Sequence, residues 1–191
     1  GQGDDVMDGG AGDDEMRASG GDDTMSGGAG DDMMRGAAGD DRMLGGNGDD
    51  MMVGGAGSDV LRGGAGNAHI VADTEDAALA GGSDTNADEA STENGDTLDL
   101  SKATEGVFVD LDVNFAGVSA PGLSQEGAVR NIGVVGGGEE TFNISANDFE
   151  NVIGTEFGDR IFGNAEANVL EGRGGDDVFH AFGGTDIYDG G

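Results

Sequence analysis

The 191-residue chain has no cysteine and no tryptophan, a single proline, a single tyrosine and eight basic residues. Without cysteine it can form neither disulfides nor thiolate metal sites. Eight bases against 40 acids leave a net charge of −32, which excludes nucleic acid and acidic membrane surfaces as partners. No apolar run approaches the ~20 residues of a membrane span. Residues 1–8 read as part of a repeat and not as a signal peptide. Catalytic signatures are missing as well. There is no HExxH helix, no GxSxG elbow and no GxxxxGK[ST] phosphate loop. Carboxylates are so abundant that a pair of them identifies nothing. The reading is a module without catalysis of its own.

Glycine is what the chain has in excess, 42 residues, and much of it falls in strict phase. From Gly9 the sequence runs GGAGDDEMR, ASGGDDTMS, GGAGDDMMR, GAAGDDRML, GGNGDDMMV, GGAGSDVLR and GGAGNAHIV, after a partial copy GQGDDVMD at 1–8. Position 4 of the nine is always glycine. Position 6 is Asp5, Asp14, Asp23, Asp32, Asp41, Asp50 and Asp59, and fails at Ala68. Position 8 is Met7, Met16, Met25, Met34, Met43, Met52, Leu61 and Ile70. Glycines at positions 1, 2 and 4 admit a turn through positive φ. Such a turn directs carbonyl oxygens inward, and the aspartate adds a carboxylate. An all-oxygen, flexible shell of six to eight ligands suits calcium better than magnesium. Positions 7–9 read as a three-residue strand whose middle side chain points inward. The position-8 methionines therefore form a core ladder, and a soft-metal role for them is remote.

One unit has one strand and one corner, so two units make a coil of 18 residues with two parallel sheets. Units i and i+2 then stack at about 4.8 Å. Asp14, Asp32 and Asp50 stack on one edge, and Asp5, Asp23, Asp41 and Asp59 on the other. Stacked carboxylates repel unless a cation lies between them. The aspartates at position 5, such as Asp13 and Asp31, read as solvated charge.

The motif GGxGxDxUx, with U a large apolar residue, resembles the repeat-in-toxin (RTX) family of secreted bacterial proteins, over residues 1–71 and 154–191. The resemblance implies a parallel β-roll, calcium between successive loops, and export to the extracellular space by a type I secretion system. It also implies that the position-6 aspartates named above hold the ions together with main-chain carbonyls of the glycine turn. Ala68 lacks the carboxylate. Residues 154–191 read GTEFGDRIF, GNAEANVLE, GRGGDDVFH and AFGGTDIYD, with Asp159, Asn168, Asp177 and Asp186 at position 6. The preceding unit, SANDFENVI, puts Glu150 at position 6, so the roll resumes one unit early. Roughly five to nine calcium ions are expected by the stacking argument.

The expected architecture is all-β: a parallel β-roll, or solenoid, in two repeat blocks, 1–71 and 154–191, with an acidic irregular β segment at 72–153 between them. The second block is one residue out of phase with the first. Within the segment, 73–95 reads as loop with a short helix over 75–80, and strands are expected in 95–101, 106–115, 131–135 and 141–145. Val107, Val109, Leu111, Val113 and Phe115 share one face. The segment resembles the links between RTX repeat blocks, including those of secreted metalloproteases, and reads as rungs that continue or cap the roll. On one outer face of the first block, Met51, Val53 and Val71 form an apolar strip expected to be covered from Ala72 onward or by a partner, with Arg42 and Arg62 exposed on the other face. The chain starts and stops inside repeats, so it reads as part of a longer protein whose attached domains are its partners. Two other readings stay open. One is a module that binds extracellular polysaccharide or a partner surface, like the R-modules of alginate epimerases that the repeat also resembles. The other is the C-terminal part of a secreted protease or lipase.

Overall fold

The structure, a computed structural model, describes residues 1–72, 78–83, 95–103, 106–111, 131–134, 141–144, 149–180 and 182–191. These contain strands and no helix, and no helix long and apolar enough to cross a membrane is among them. The repeats supply β1 (Val6–Ala11), β2 (Glu15–Arg17), β3 (Thr24–Ala29), β4 (Met33–Ala38), β5 (Arg42–Asn47), β6 (Met51–Ala56), β7 (Val60–Ala65) and β8 (His69–Val71). Next come β9 (Ala78–Ser83), β10 (Thr97–Asp99), β11 (Val107–Asp110), β12 (Asn131–Val134) and β13 (Thr141–Ile144). The C-terminal coils add β14 (Asn151–Ile153), β15 (Arg160–Phe162), β16 (Val169–Glu171), β17 (Val178–His180) and β18 (Ile187–Asp189).

From β1 to β10 and from β14 to β18 successive strands alternate between two sheets, as an 18-residue coil requires, while β11, β12 and β13 all join the first sheet. One sheet has ten strands in the order β1-β3-β5-β7-β9-β13-β12-β11-β15-β17, and the other has eight, β2-β4-β6-β8-β10-β14-β16-β18. Pairing is parallel except around β12, which lies antiparallel to both β11 and β13. The register stacks like on like. Met7, Met25, Met43, Leu61 and Leu79 are successive partners in the first sheet. Met16, Met34, Met52, Ile70, Leu98, Val152 and Leu170 are successive partners in the second. Each inward side chain therefore meets its equivalent above and below, and one continuous core runs from Met16 to Leu170.

Several expectations are revised. Most repeat strands are six residues long, not three, because pairing skips position 1 and resumes at positions 2 and 3, as in Gly28↔Gly46 and Ala29↔Asn47. Without side chains at the bend, stacked backbones keep their spacing through it. The helix expected over 75–80 is overturned from Ala78 on, where β9 continues the first sheet beside β7 with Leu79 in the core ladder. β9 thus extends the coil instead of folding back over the first block. Accordingly Met51 is exposed (39%), not covered, and Val53 and Val71 are half-buried. Arg42 and Arg62 are exposed, as expected. Strands appear within 95–101, 106–115, 131–135 and 141–145, and Val107, Val109 and Leu111 are buried together. Val113 and Phe115 lie outside the described residues. Ile70 and Leu98 pair although 28 residues apart, one more than three units, so the phase slip lies between β8 and β10.

Ala37 sits at position 2 with φ 94°, a conformation taken at that position by Gly10, Gly28, Gly46, Gly55 and Gly64 in the first block and by Arg173 in the C-terminal coils. A Cβ there costs about 1–3 kcal/mol, against about 0.4–1 kcal/mol of extra unfolded-state entropy for glycine. Ala37→Gly is expected to stabilise the roll by about 1 kcal/mol and to raise its thermal midpoint in saturating calcium by about 2–4 °C. A melting curve followed by circular dichroism that moves down instead would contradict the strain.

Candidate metal centres

The corners of the roll are built on the position-6 aspartates. In the first block, from Asp23 on, Oδ1 accepts the backbone N–H of the position-6 residue one coil earlier. On one edge Asp5 N donates to Asp23 (2.7 Å), Asp23 N to Asp41 (2.8 Å) and Asp41 N to Asp59 (2.8 Å). On the other, Asp14 N donates to Asp32 (2.8 Å) and Asp32 N to Asp50 (3.0 Å). The position-5 aspartates form a second, exposed ladder in the reverse sense, in which Asp22, Asp31, Asp40 and Asp49 donate back to Asp4, Asp13, Asp22 and Asp31. Successive coils are thus stitched in both directions.

The second oxygen of the inner ladder is a different matter. Oδ2 of Asp14, Asp23, Asp32, Asp41 and Asp50, and of Asp177 in the C-terminal coils, is buried and has no hydrogen-bond partner. Removing a carboxylate from water without a counter-charge costs several kcal/mol. Burial pushes the Asp50 carboxyl up to about 6 and raises Asp41 in the same way, with the neighbouring aspartates adding to it and backbone hydrogen bonds opposing it.

The glycine at position 1 shows what the space is for. Its φ is not positive, unlike those at positions 2 and 4, so the turn does not demand it for conformation. A Cβ on Gly27 or Gly45 would fall on Oδ2 of Asp32 or Asp50 and against the carbonyl oxygen of Gly45 or Gly63 in the next coil. A Cβ on Gly9 would lie 2.7 Å from both Asp14 Oδ2 and the Gly27 carbonyl oxygen. Each such corner brings a carboxylate oxygen and a main-chain oxygen together against a glycine with no room for a side chain, and these are donors of the kind a hard cation takes. These residues fit calcium, which when bound supplies the positive charge that the stacked carboxylates lack. Among the described residues no three His, Asp or Glu side chains converge, so carbonyls must complete each shell. Ala18 takes the position-1 place in the second unit, where β2 stops at Arg17.

The remaining candidates occupy two kinds of corner. Asp177 Oδ1 accepts Asp159 N (2.8 Å), and Asp186 Oδ1 accepts Asn168 N (3.0 Å), so the ladder continues to the last coil. Asp186 Oδ2 accepts the Tyr188 hydroxyl (3.2 Å). Glu150 reaches back to accept Asp96 N at Oε2 (2.8 Å). Asp159 and Asn168 are buried and bonded within their own corners. Burial raises the Asp159 carboxyl against opposing hydrogen bonds from Thr155 and Val107. Asp96 was not singled out from the sequence. It is 1% exposed, and its Oδ1 accepts Ala68 N (2.6 Å), so it occupies the position-6 place next to the coil that carries Ala68. Its signal is Gly95-Asp96-Thr97-Leu98, positions 5–8 of a unit displaced by the phase slip. The two histidines lie apart, His69 beside Asp99 (3.4 Å) and His180 against Phe182.

Two outcomes follow from this geometry. Gly45→Ala puts a methyl where Asp50 Oδ2 and the Gly63 oxygen meet, whereas Gly10 has open space around its absent Cβ and only a positive φ (+98°) to lose. Gly45→Ala is expected to raise the calcium midpoint for folding further than Gly10→Ala; equal shifts in a titration would contradict the cradle. The second concerns pH. For Asp41 and Asp50 the folded value is raised, so their contribution favours the calcium-free roll at pH below the unfolded carboxylate range and is lost as pH rises through about 6 for Asp50. In chelator the chain should gain β signal on acidification from pH 7 towards 4, and the calcium midpoint should rise over the same window as protons compete. A calcium-free spectrum that is independent of pH would refute it.

The family model for four copies of the RTX calcium-binding nonapeptide repeat matches residues 1–34, 35–70 and 153–188. A comparison with the curated proteins returns no match. The matched residues make up more than half of the chain and coincide with the stacked coils and their oxygen-lined corners. The chain belongs to the RTX calcium-binding nonapeptide repeat family, and it is a calcium-binding β-roll module.

Proposed function

We propose that this module is a calcium-triggered folding device that supports export and stability of a larger secreted protein, and that it does no chemistry itself. The observation that carries the reading is the row of buried aspartates whose second oxygens lack a partner. In low calcium their desolvation and the net charge of −32 oppose closure of the corners. The apolar gain is small, because the repeat coils bury one large side chain per strand. A chain with little apolar area and much like charge stays open. An open chain suits passage through a type I export channel, and millimolar calcium outside the cell then closes it. Affinities in the range of 10⁻⁴–10⁻³ M are those of extracellular calcium modules. That RTX proteins are typically secreted supports the same placement. The lack of the HExxH, GxSxG and phosphate-loop motifs supports a non-catalytic role.

Far-ultraviolet circular dichroism tests the trigger. The chain in EDTA is expected to gain a large β signal as calcium is raised through about 0.1–1 mM. A β spectrum already complete in EDTA and unchanged by millimolar calcium would sink the proposal.

A further inference from the structure

The corners at Asp159 and Asn168 match the repeat in sequence but differ from the others in how their oxygens are used. Asp159 is 1% exposed and accepts three hydrogen bonds. Val107 N and Thr155 Oγ1 donate to Oδ1 (2.8 and 2.9 Å), and Thr155 N donates to Oδ2 (2.7 Å). At the next corner Asn164 N donates to Asn168 Oδ1 (2.9 Å). Asn168 Nδ2 donates to the Glu150 carbonyl (2.9 Å) and to Asn164 Oδ1 (3.1 Å). An N–H group therefore stands where a cation would need an oxygen. Thr155 and Asn164 are themselves buried, and each also accepts a backbone N–H two residues on, from Phe157 and Glu166.

The two kinds of corner differ at position 2. Where it is Gly10, Gly28, Ala37, Gly46 or Arg173, φ is positive and the position-6 Oδ2 is left without a partner. At Thr155 and Asn164 φ is not positive, and the N–H of that residue turns into the corner to donate to the position-6 side chain. Ser19 is an exception, with φ not positive and Asp23 Oδ2 still unpartnered. These two corners also sit on a larger core than the methionine ladder. Phe149, Leu100, Leu111, Val109, Ile161 and Leu170 are all buried in the same cluster.

We propose that the coils around residues 149–171 form a calcium-independent clasp, in which hydrogen bonds from Thr155 and Asn164 replace the metal, and that Asp159 and Asn168 bind no calcium. This deepens the proposed calcium trigger and rests on it: through β10, which pairs with both β8 and β14, the clasp is the closed section on which the calcium-dependent coils of residues 1–71 build.

Amide hydrogen exchange on the full chain, in EDTA and in calcium, tests it. In EDTA the amides of Val107, Thr155 and Asn164 are expected to exchange about a hundredfold slower than those of Asp23, Asp32 and Asp41, with all protected in calcium. Exchange of Thr155 and Asn164 as fast as Asp32 in EDTA overturns the clasp and leaves the trigger standing. Protection of Asp32 in EDTA overturns the trigger, and the count of bound ions then decides the clasp. In that count, by equilibrium dialysis against calcium, Asp159→Asn keeps the number bound and Asp32→Asn lowers it by about one. Loss of an ion in Asp159→Asn overturns the proposal.

Discussion

A buried carboxylate holds a backbone together only when both of its oxygens are answered. From Asp23 to Asp59 one oxygen is, by the N–H of the coil before. The other decides what kind of corner results. Left unpartnered, as at Asp32 or Asp50, it is a buried charge that no group of the chain answers. Met by Thr155, as at Asp159, it makes the corner self-sufficient. The rest of the architecture is arranged around this choice. Glycine at position 1 lets the oxygens approach where a side chain would clash, the 18-residue coil brings them into line, and the parallel register repeats the arrangement along each edge.

The apolar interior is subordinate to the corners in the first block and less so in the segment that follows it. From β3 to β8 one inward side chain per strand fills the interval between sheets, and methionine suits that role because its unbranched thioether adapts to whatever sits above and below. Past β10 the interior broadens with Leu100, Leu111 and Phe149. The wider core and the hydrogen-bonded corners occur together.

The periodic part of the fold was legible because every level of the sequence agreed. Nine-residue phase, inward Met or Leu, turn glycines and carboxylates all specify one coil, and the register Met7↔Met25 follows directly. Strand length was misjudged because alternation of side chains marks only positions 7–9, while pairing through the bend depends on glycines that carry no pattern of burial. The strand at Ala78–Ser83 was read partly as helix because Ala78, Leu79 and Ala80 favour helix locally, and only the stack above Leu61 makes them a rung. Asp96 escaped notice because an insertion shifts the phase between β8 and β10. The closed corners escaped for a subtler reason. Thr155 and Asn164 look like decayed glycines in the string, and their role appears only when the direction of an N–H is known.

The methionine ladder has a chemical consequence for the life of the molecule. Met25, Met34, Met43 and Met52 are at most 2% exposed, whereas Met33 and Met51 stand on the outer surface. In the closed roll an oxidant meets Met33 and Met51 first, where a sulfoxide projects into water and disturbs nothing. In the open chain all eight thioethers are available. A sulfoxide on Met34 would then place a strong dipole in an interior one side chain thick, with no donor in the ladder to receive it. Oxidative damage sustained before closure is therefore remembered by the fold, and damage sustained afterwards is largely absorbed at its surface.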